Sequence, residues 1–421
     1  MLKALSLTAT ALTLAACTTL TSANNTPALA LLDSDTTRVS FFSHDARKTL
    51  TAGSLTLGDS EHGLSVNRSA NTLQLTWRDS GWAGFEVEFR QPRNVSAYQN
   101  GAYVFDLEVQ QFNDAGFDFA RLCANGCERR VSLTHQVAPL LNQGQRTVAV
   151  PMACVLREHD TLIAESAPLR VATGGSGKIS LSNIRIEPVL PQVDIVFSCP
   201  DYKTAALTPA PLDEHWAQSW WLPRHQQKLA AAAATKPRLV FIGDSITQGW
   251  EEAGQQVFQQ TFGQWPSLNL GFSGDRTENV LWRLEHGALE QINPELVVLM
   301  IGTNNTGHRQ DEPALIARGV AQILTQLERR LPDAKVLLLA IFPRGASADD
   351  YLRRNNSLTN ARLRNLADGE RVLFADLNSV FLDKDGNLAK DIMPDFLHPN
   401  ERGYQRLGDA LRPLVQPHMA R

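Results

Sequence analysis

Long apolar runs and cysteines are both scarce in this chain of 421 residues, which has only five cysteines. After the first 16 residues no stretch reaches the roughly 20 apolar residues that a membrane-spanning helix needs, which argues against an integral membrane protein. A strong excess of one charge is also missing. The formal net charge is −4, so there is no basic surface for nucleic acid and no nucleic-acid partner is expected. The length and the 43% hydrophobic content predict a globular protein of two domains.

The N-terminus has the features of an export signal. Lys3 gives it a positive start, and residues 4–16 form an apolar run too short to span a bilayer. The run ends in Leu14-Ala15-Ala16-Cys17, which resembles the lipobox of bacterial lipoproteins. That resemblance implies a signal peptide at 1–16, a diacylated Cys17, and a cell-envelope protein held by lipid at the periplasmic or outer-membrane face. A plain secretory signal cleaved near residue 23 or 30 is the alternative.

The other four cysteines are an even number, which in an exported chain predicts disulfides. Three connectivities exist, and the favoured pairs are Cys123–Cys127 and Cys154–Cys199. The spacing matches no zinc pattern, so no metal site is expected.

The pattern of apolar residues changes once along the chain. Residues 17–32 are rich in Thr, Asn and Ala and predict a tether. From 33 to 190, segments such as Thr72–Trp77 and Phe85–Phe89 alternate apolar and polar residues, which predicts an all-β sandwich. Gly174–Lys178 is predicted to be a turn between strands. Prolines accumulate over 191–212, which marks a linker.

Residues 213–421 have the pattern of an α/β domain with a mostly parallel sheet. Continuous apolar runs typical of strands buried on both faces alternate with helical patterns. The runs are Arg238–Ile242, Leu296–Ile301, Val336–Ile341 and Val372–Ala375.

Polar residues that could carry out acyl transfer follow these predicted strands. Ser245 comes directly after the first strand, and a serine nucleophile needs a base such as His398 within hydrogen-bond reach. Asp395, three residues before His398, could orient the imidazole. The backbone N–H groups of Ser245 and Gly274 and the side-chain amide of Asn304 could stabilise an oxyanion. The sequence therefore predicts a Ser-His-Asp triad with an oxyanion hole.

Several other residues have weaker interpretations. His308 could line the substrate pocket, and Asp376 could rival Asp395 as the acid. Asp244 and Asp275 are expected to hold loops through hydrogen bonds to backbone N–H groups. Trp250 and Phe272 could shape an acyl pocket or belong to the core.

The blocks Gly243-Asp244-Ser245, Gly274, Asn304 and Asp395-x-x-His398 resemble, in order and spacing, those of SGNH (GDSL) hydrolases. The likeness covers about 213–415 and is strongest to the branch with the platelet-activating-factor acetylhydrolase catalytic subunits. It implies a flavodoxin-like three-layer fold, the roles given above for the triad and the oxyanion donors, and no metal or organic cofactor.

Residues 33–190 resemble the galactose-binding-like jelly roll attached to some bacterial exo-acting β-glucan hydrolases of the ExoP type. Phe117-Asp118-Phe119 and Leu181–Arg185 are among the segments that carry this likeness. It implies that the domain could bind a glycan through Trp77 or Trp82, although both could equally be core residues.

Together these features predict an exported serine esterase that removes short acyl groups, chiefly acetyl, from carbohydrate. One alternative is an esterase of lipids like platelet-activating factor. Another is a cell-surface glycan-binding lipoprotein whose hydrolase domain is vestigial.

Overall fold

The computed structural model describes residues 26–44, 46–59, 61–123, 126–157 and 160–419. Within them an antiparallel β domain precedes an α/β domain with a parallel sheet, which confirms the predicted fold class. The predicted signal peptide and Cys17 lie outside the described residues. No helix in the described part of the chain combines the length and the apolar character needed to cross a bilayer.

Among the described residues the β domain has eleven strands, and antiparallel pairing dominates. The strands lie in the order β11-β9-β7-β10-β6-β2-β3, with β1 on β10, β5 between β4 and β6, and β8 on β7. A short helix α1, Thr134–Val137, follows β8. The strands are β1 Leu29–Ala30, β2 Thr37–Ser43, β3 Ala46–Thr49, β4 Gly53–Gly58, β5 Gly63–Arg68, β6 Thr72–Phe89, β7 Ala102–Leu122, β8 Glu128–Ser132, β9 Arg146–Pro151, β10 Ala167–Glu187 and β11 Ile195–Val196.

Three of these strands are much longer than the alternating pattern predicts. β6 has 18 residues, and β7 and β10 have 21 each. The prediction of a turn at Gly174–Lys178 is wrong, because this segment lies inside β10. The register against β6 shifts between Thr173 and Gly175 and again between Gly175 and Gly177. Glycines accommodate such bulges, so the strand bends without ending.

The sheet also extends beyond the limits expected from composition. β1 lies within the predicted tether, and β11 within the predicted linker. Cys154 joins Cys199 and Cys123 joins Cys127, with Cα–Cα distances of 4.8 and 5.0 Å. The Cys154–Cys199 bond therefore attaches the start of the connecting segment to the β domain. The carboxylate of Asp160 lies near the sulfurs of Cys123 and Cys127, but both are disulfide-bonded and are not thiolate ligands.

The α/β domain has five parallel strands in the order β13-β12-β14-β15-β16. In chain order this is 2-1-3-4-5, the flavodoxin-like arrangement. Apolar side chains alternate between two cores, one on each face of the sheet. The strands are β12 Leu239–Gly243, β13 Ser267–Gly271, β14 Leu296–Met300, β15 Lys335–Leu339 and β16 Val372–Ala375. The helices are α2 Trp221–Thr235, α3 Ser245–Gln248, α4 Gln255–Phe262, α5 Thr277–Glu285, α6 Pro313–Arg330, α7 Tyr351–Leu363 and α8 Glu401–Val415.

Candidate active site

Ser245 lies in the tight turn that joins β12 to α3. Asp244 caps α3, its Oδ1 accepting a hydrogen bond from the backbone N–H of Ile246 at 3.0 Å. Gly243 has no room for a side chain, because a Cβ there would lie 2.1 Å from Thr247 Oγ1. Ser245 is the first residue of α3, so its backbone N–H is not used within the helix. The turn thus presents the hydroxyl and this N–H together at the carboxyl edge of the sheet.

The structure brings Ser245, His398 and Asp395 into one hydrogen-bonded chain. His398 Nε2 lies 2.8 Å from Ser245 Oγ, and His398 Nδ1 lies 2.5 Å from Asp395 Oδ2. A carboxylate can only accept, so Nδ1 carries the proton and Nε2 accepts from the serine hydroxyl. This is the arrangement in which a histidine can take a proton from a serine.

Asp395 is held in place by the backbone around it. Its Oδ1 accepts from the N–H groups of Leu397 at 3.0 Å and of His398 at 2.8 Å. Burial alone would raise the pKa of Asp395, but the backbone and imidazole hydrogen bonds from His398 hold that pKa below its usual value. Phe396 has a φ of +58°, an uncommon value for a bulky residue, which lets the loop fold back so tightly. The Asp-x-x-His spacing predicts the pair but gives no sign of this strained residue.

The three predicted oxyanion donors come from three neighbouring loops. Gly274 has a φ of +79°, which suits glycine. Asn304 donates one hydrogen of its side-chain amide to the carbonyl oxygen of Asp275 at 3.0 Å. Since the amide carries two hydrogens, this bond fixes the group and leaves the other hydrogen for a ligand.

Two aspartates beside the site are fully buried and differ in their partners. Asp244 accepts from a backbone N–H, in line with the sequence interpretation. The corresponding interpretation of Asp275 is wrong. Its carboxylate accepts from Trp221 Nε1 at 2.6 Å and from Arg283 Nε at 2.9 Å. Burial nevertheless raises the pKa of Asp275 to about 6.

The remaining candidate residues have structural roles. Asp376 accepts from the backbone N–H of Asn378 and lies 3.7 Å from Arg364, so it caps a turn. Trp250 and Phe272 are buried in core clusters and do not shape an acyl pocket. Trp77 is also a core residue, and its Nε1 donates to the carbonyl oxygen of Gly174 at 2.9 Å.

Trp216 is a residue of this region that the motifs do not reveal. A Cβ built on Gly274 would lie 2.2 Å from Trp216 Cη2, so the indole lies directly against this glycine. His308 packs edge-to-face on Trp216, with ring centroids 6.2 Å apart. Trp216 comes from the segment before α2, which has no motif. Only its nearness to the domain boundary could have singled it out.

Comparisons with known proteins show which families the two domains match. Residues 241–406 match the GDSL-like lipase/acylhydrolase family, and residues 38–186 match the galactose-binding domain-like family. The chain is 32% identical over 210 residues to platelet-activating factor acetylhydrolase IB subunit alpha1 of Homo sapiens, across 50% of this chain and 89% of that protein.

Two solved structures show more distant likeness. A catalytic mutant of an acetylxylan esterase from Geobacillus stearothermophilus is 19% identical with a TM-score of 0.36, over 42% of this chain and 93% of that one. The extra C-terminal domain of an exo-1,3/1,4-β-glucanase (ExoP) from a Pseudoalteromonas species is 14% identical with a TM-score of 0.34, over 42% of this chain and 100% of that one.

The fold of the second domain and its likeness to an acetylhydrolase define a carboxylic ester hydrolase. Within that class the chain belongs to the GDSL-like lipase/acylhydrolase family, and it carries a galactose-binding-like domain at its N-terminal side.

Proposed function

We propose that Ser245 is the nucleophile of this esterase and that His398 and Asp395 complete its triad. The observation that carries the proposal is the chain of two hydrogen bonds, 2.8 Å from Ser245 to His398 and 2.5 Å from His398 to Asp395. In the acylation step Ser245 Oγ attacks the ester carbonyl carbon while His398 Nε2 takes the hydroxyl proton. The N–H groups of Ser245 and Gly274 and the amide of Asn304 hold the oxyanion.

The collapse of this intermediate releases the alcohol and leaves an acyl-serine. His398 gives its proton to the departing alkoxide, and Asp395 stabilises the imidazolium in the meantime. His398 Nε2 then takes a proton from a water molecule that attacks the acyl carbon. When the bond to Ser245 Oγ breaks, His398 returns that proton to Oγ and the carboxylic acid leaves. Every step uses groups of this chain, and the intact geometry argues against a vestigial hydrolase domain.

We infer that the acyl group is short and that the alcohol is a carbohydrate. Trp216 and Leu212 close the space over Gly274. Side chains therefore already occupy the space next to this proposed oxyanion donor, so a short acyl group such as acetyl is expected. The galactose-binding-like family of the first domain supports a carbohydrate.

A lipid substrate is the second candidate, because the human relative is a platelet-activating factor acetylhydrolase. Its substrate, as that name states, also carries an acetyl ester, so acyl length alone does not separate the two candidates. Hydrolysis of acetylated xylo-oligosaccharides and of platelet-activating factor should be compared at equal enzyme concentration. We expect the higher kcat/KM for the sugar ester, and the reverse order would favour the lipid.

Replacing the nucleophile is the direct test of the triad. Ser245→Ala is expected to lower kcat on p-nitrophenyl acetate by on the order of 10⁴- to 10⁶-fold, as in other serine hydrolases. Its thermal unfolding should match that of the unsubstituted protein. Ser245 is only half-buried, and the substitution removes just the hydroxyl that bonds to His398. Retained activity in a folded Ser245→Ala protein would overturn the assignment.

We further propose that the protein is exported and anchored through lipid on Cys17. All four later cysteines form disulfides, which persist in oxidising compartments. Metabolic labelling with a palmitate analogue tests this proposal. We expect label in the full chain and none in Cys17→Ser, and label retained by the variant would contradict it.

A further inference from the structure

We propose that the cleft between the two domains is the subsite for a sugar ring of the substrate, so that the β domain forms part of the active site. This inference rests on the proposed function and names where the alcohol portion binds. The cleft has a volume of about 400 Å³, within the range of small-molecule sites. The residues that carry the argument are Trp82, Asp118 and Arg130 of the β domain and Glu214, Trp216 and His308 of the α/β side.

The cleft adjoins the candidate oxyanion hole. Trp216 lines the cleft and also lies against Gly274, one of the proposed oxyanion donors. His308 lines the cleft and belongs to the π-helical turn Asn305–Arg309, which directly follows Asn304. An ester whose carbonyl oxygen lies at Gly274 and Asn304 therefore has its alcohol portion within reach of the cleft.

Aromatic side chains from both domains line the cleft. Trp216 is 40% exposed, and Trp82 is half-buried, so both rings keep open surface. Phe42 packs against Trp82 with ring centroids 5.7 Å apart, and the Arg130 guanidinium carbon lies 5.9 Å from the centroid of the same indole. Flat indole faces bind the apolar C–H faces of a sugar ring, and their rigidity limits the entropy lost on binding.

Hydrogen-bonding groups of both kinds accompany these rings. His308 Nδ1 lies 3.3 Å from Arg276 Nη1, and a guanidinium can only donate, so Nδ1 accepts. Burial and the nearby Arg276 lower the pKa of His308 to about 3, so the ring is neutral and Nε2 is its donor. Asp118 and Glu214 supply acceptors. Ring hydroxyls need both donors and acceptors, which this set provides.

The charges of the cleft favour a neutral ligand. Arg130 lies 3.5 Å from Asp118, Arg276 lies 2.9 Å from Glu214, and Arg309 lies 2.5 Å from Asp311. Each arginine of the cleft therefore already faces a carboxylate. A phosphate or a sugar acid would have to displace one of these partners, whereas a neutral sugar would not.

The cleft is built into the domain interface and is preformed. His215 lies between β7 and β10, where a Cβ on Gly116 or Gly174 would come within 2.4 or 2.6 Å of its ring. Glu128 N donates to Gln310 Oε1 at 2.7 Å, and Arg130 Nε donates to the carbonyl oxygen of His308 at 3.2 Å. These contacts fix Trp82 relative to Trp216, and a preformed site binds with a smaller entropic penalty.

Truncating Trp82 tests the inference because this residue belongs to the β domain, apart from the triad. The kcat/KM is measured for acetylated xylo-oligosaccharides and for p-nitrophenyl acetate, which has no sugar. For Trp82→Ala we expect the ratio of kcat/KM for the sugar ester to kcat/KM for p-nitrophenyl acetate to fall at least tenfold. Trp82→Phe, which keeps a stacking face, should recover most of the ratio. Ile163→Ala is the control, because Ile163 is 64% exposed in the β domain and does not line the cleft.

The outcomes separate this inference from the proposed function. An unchanged ratio in Trp82→Ala, or no preference for the sugar ester in the unsubstituted protein, overturns the sugar subsite and leaves the esterase intact. Activity retained by Ser245→Ala overturns the triad instead. If Trp82→Ala does not fold, xylo-oligosaccharide binding to Ser245→Ala is measured by calorimetry with phosphocholine as competitor. Sugar binding unaffected by phosphocholine supports the subsite, whereas absent sugar binding or displacement by phosphocholine overturns it.

Discussion

Asp244 and Ser245 are adjacent in the chain, yet their side chains lie in different surroundings. Ser245 is half-buried, whereas Asp244 is 0% exposed. One oxygen of Asp244 caps α3, and its Oδ2 has no hydrogen-bond partner among the described residues. Burial raises the pKa of Asp244 to about 7, so near neutral pH this carboxyl exists in both forms.

Asp244→Asn should make the protein more stable at alkaline pH. Folding raises the pKa of this carboxyl from 3.8 to about 7. Between these pH values the folded protein holds a proton that the unfolded chain has lost, so the free energy of unfolding falls as the pH rises through that range. Asparagine keeps the capping oxygen and does not ionise. We expect a gain on the order of 1–4 kcal/mol in the free energy of unfolding at pH 8, and little gain at pH 4.

Urea unfolding at the two pH values measures this difference. Asp368→Asn is a suitable control, because this exposed aspartate also caps backbone N–H groups but has a lowered pKa. A gain for Asp244→Asn that is equal at pH 4 and pH 8 would contradict the account.

Asp395→Asn should impair catalysis less than His398→Ala. In the proposed triad the aspartate orients and stabilises the base, whereas His398 moves the proton. In a measured triad the corresponding losses in kcat were roughly 10⁴-fold and 10⁶-fold. Steady-state kinetics on p-nitrophenyl acetate give the order. Asp376→Asn, which removes the other candidate acid, should leave kcat unchanged, and a loss equal to that of Asp395→Asn would contradict the assignment.

At the scale of residues, the sequence is informative where chemistry demands a fixed spacing. Ser245 and Asn304 follow predicted strands and His398 stands in a short motif, and the structure places Ser245 and His398 within hydrogen-bond distance. Trp216 and Arg344 could not be predicted in the same way. Arg344 donates to the carbonyl oxygen of Thr303 beside the site, but many arginines make such contacts, so the residue alone carries no signal.

At the scale of elements, the contact of His215 with β7 and β10 is one of several that join the two domains. Two facing glycines make room for the imidazole, and a side chain at either position would meet it. Burial lowers the pKa of His215, so the ring is neutral in this position at neutral pH.

Gly116→Ala is expected to weaken this contact. The added Cβ would lie 2.4 Å from the imidazole, and overpacking of this kind costs about 1–3 kcal/mol. Gly81→Ala in β6 is the matched control, because its Cβ would make only an ordinary contact at 3.6 Å with His44. Urea unfolding should show a lower midpoint for Gly116→Ala alone. Equal midpoints for the two variants would show that the glycine is not required there.

The lengths of the strands could not be predicted, although most of their positions could. Alternation of apolar and polar residues predicts Thr72–Trp77 and Phe85–Phe89 correctly as strand segments. Between them, apart from Trp82, the side chains are small or polar, and the alternation ends while the backbone pairing with β10 continues. Hydrogen bonds to a neighbouring strand can extend a strand beyond the segment in which apolar and polar residues alternate. The local sequence pattern gives no sign of this extension.

At the scale of the whole molecule, the two domains share one cleft. Each domain matches its own family, and the sequence pattern treats them as separate units. The interface places Trp82 of one domain and Trp216 of the other around the same space. A sequence assigns residues to domains, but it does not say which surfaces meet, so this cleft could not be predicted. We propose that this cleft gives the galactose-binding-like domain a direct part in the choice of substrate.

In the proposed mechanism Ser245 is the group that forms the acyl-enzyme. Fluorophosphonates react with activated serine hydroxyls, so the full chain should be treated with such a reagent and the modified residue located by peptide mass spectrometry. We predict one adduct, on Ser245, and its loss both in Ser245→Ala and on prior incubation with an acetyl ester substrate. An adduct on another residue, or undiminished labelling of Ser245→Ala, would contradict the account.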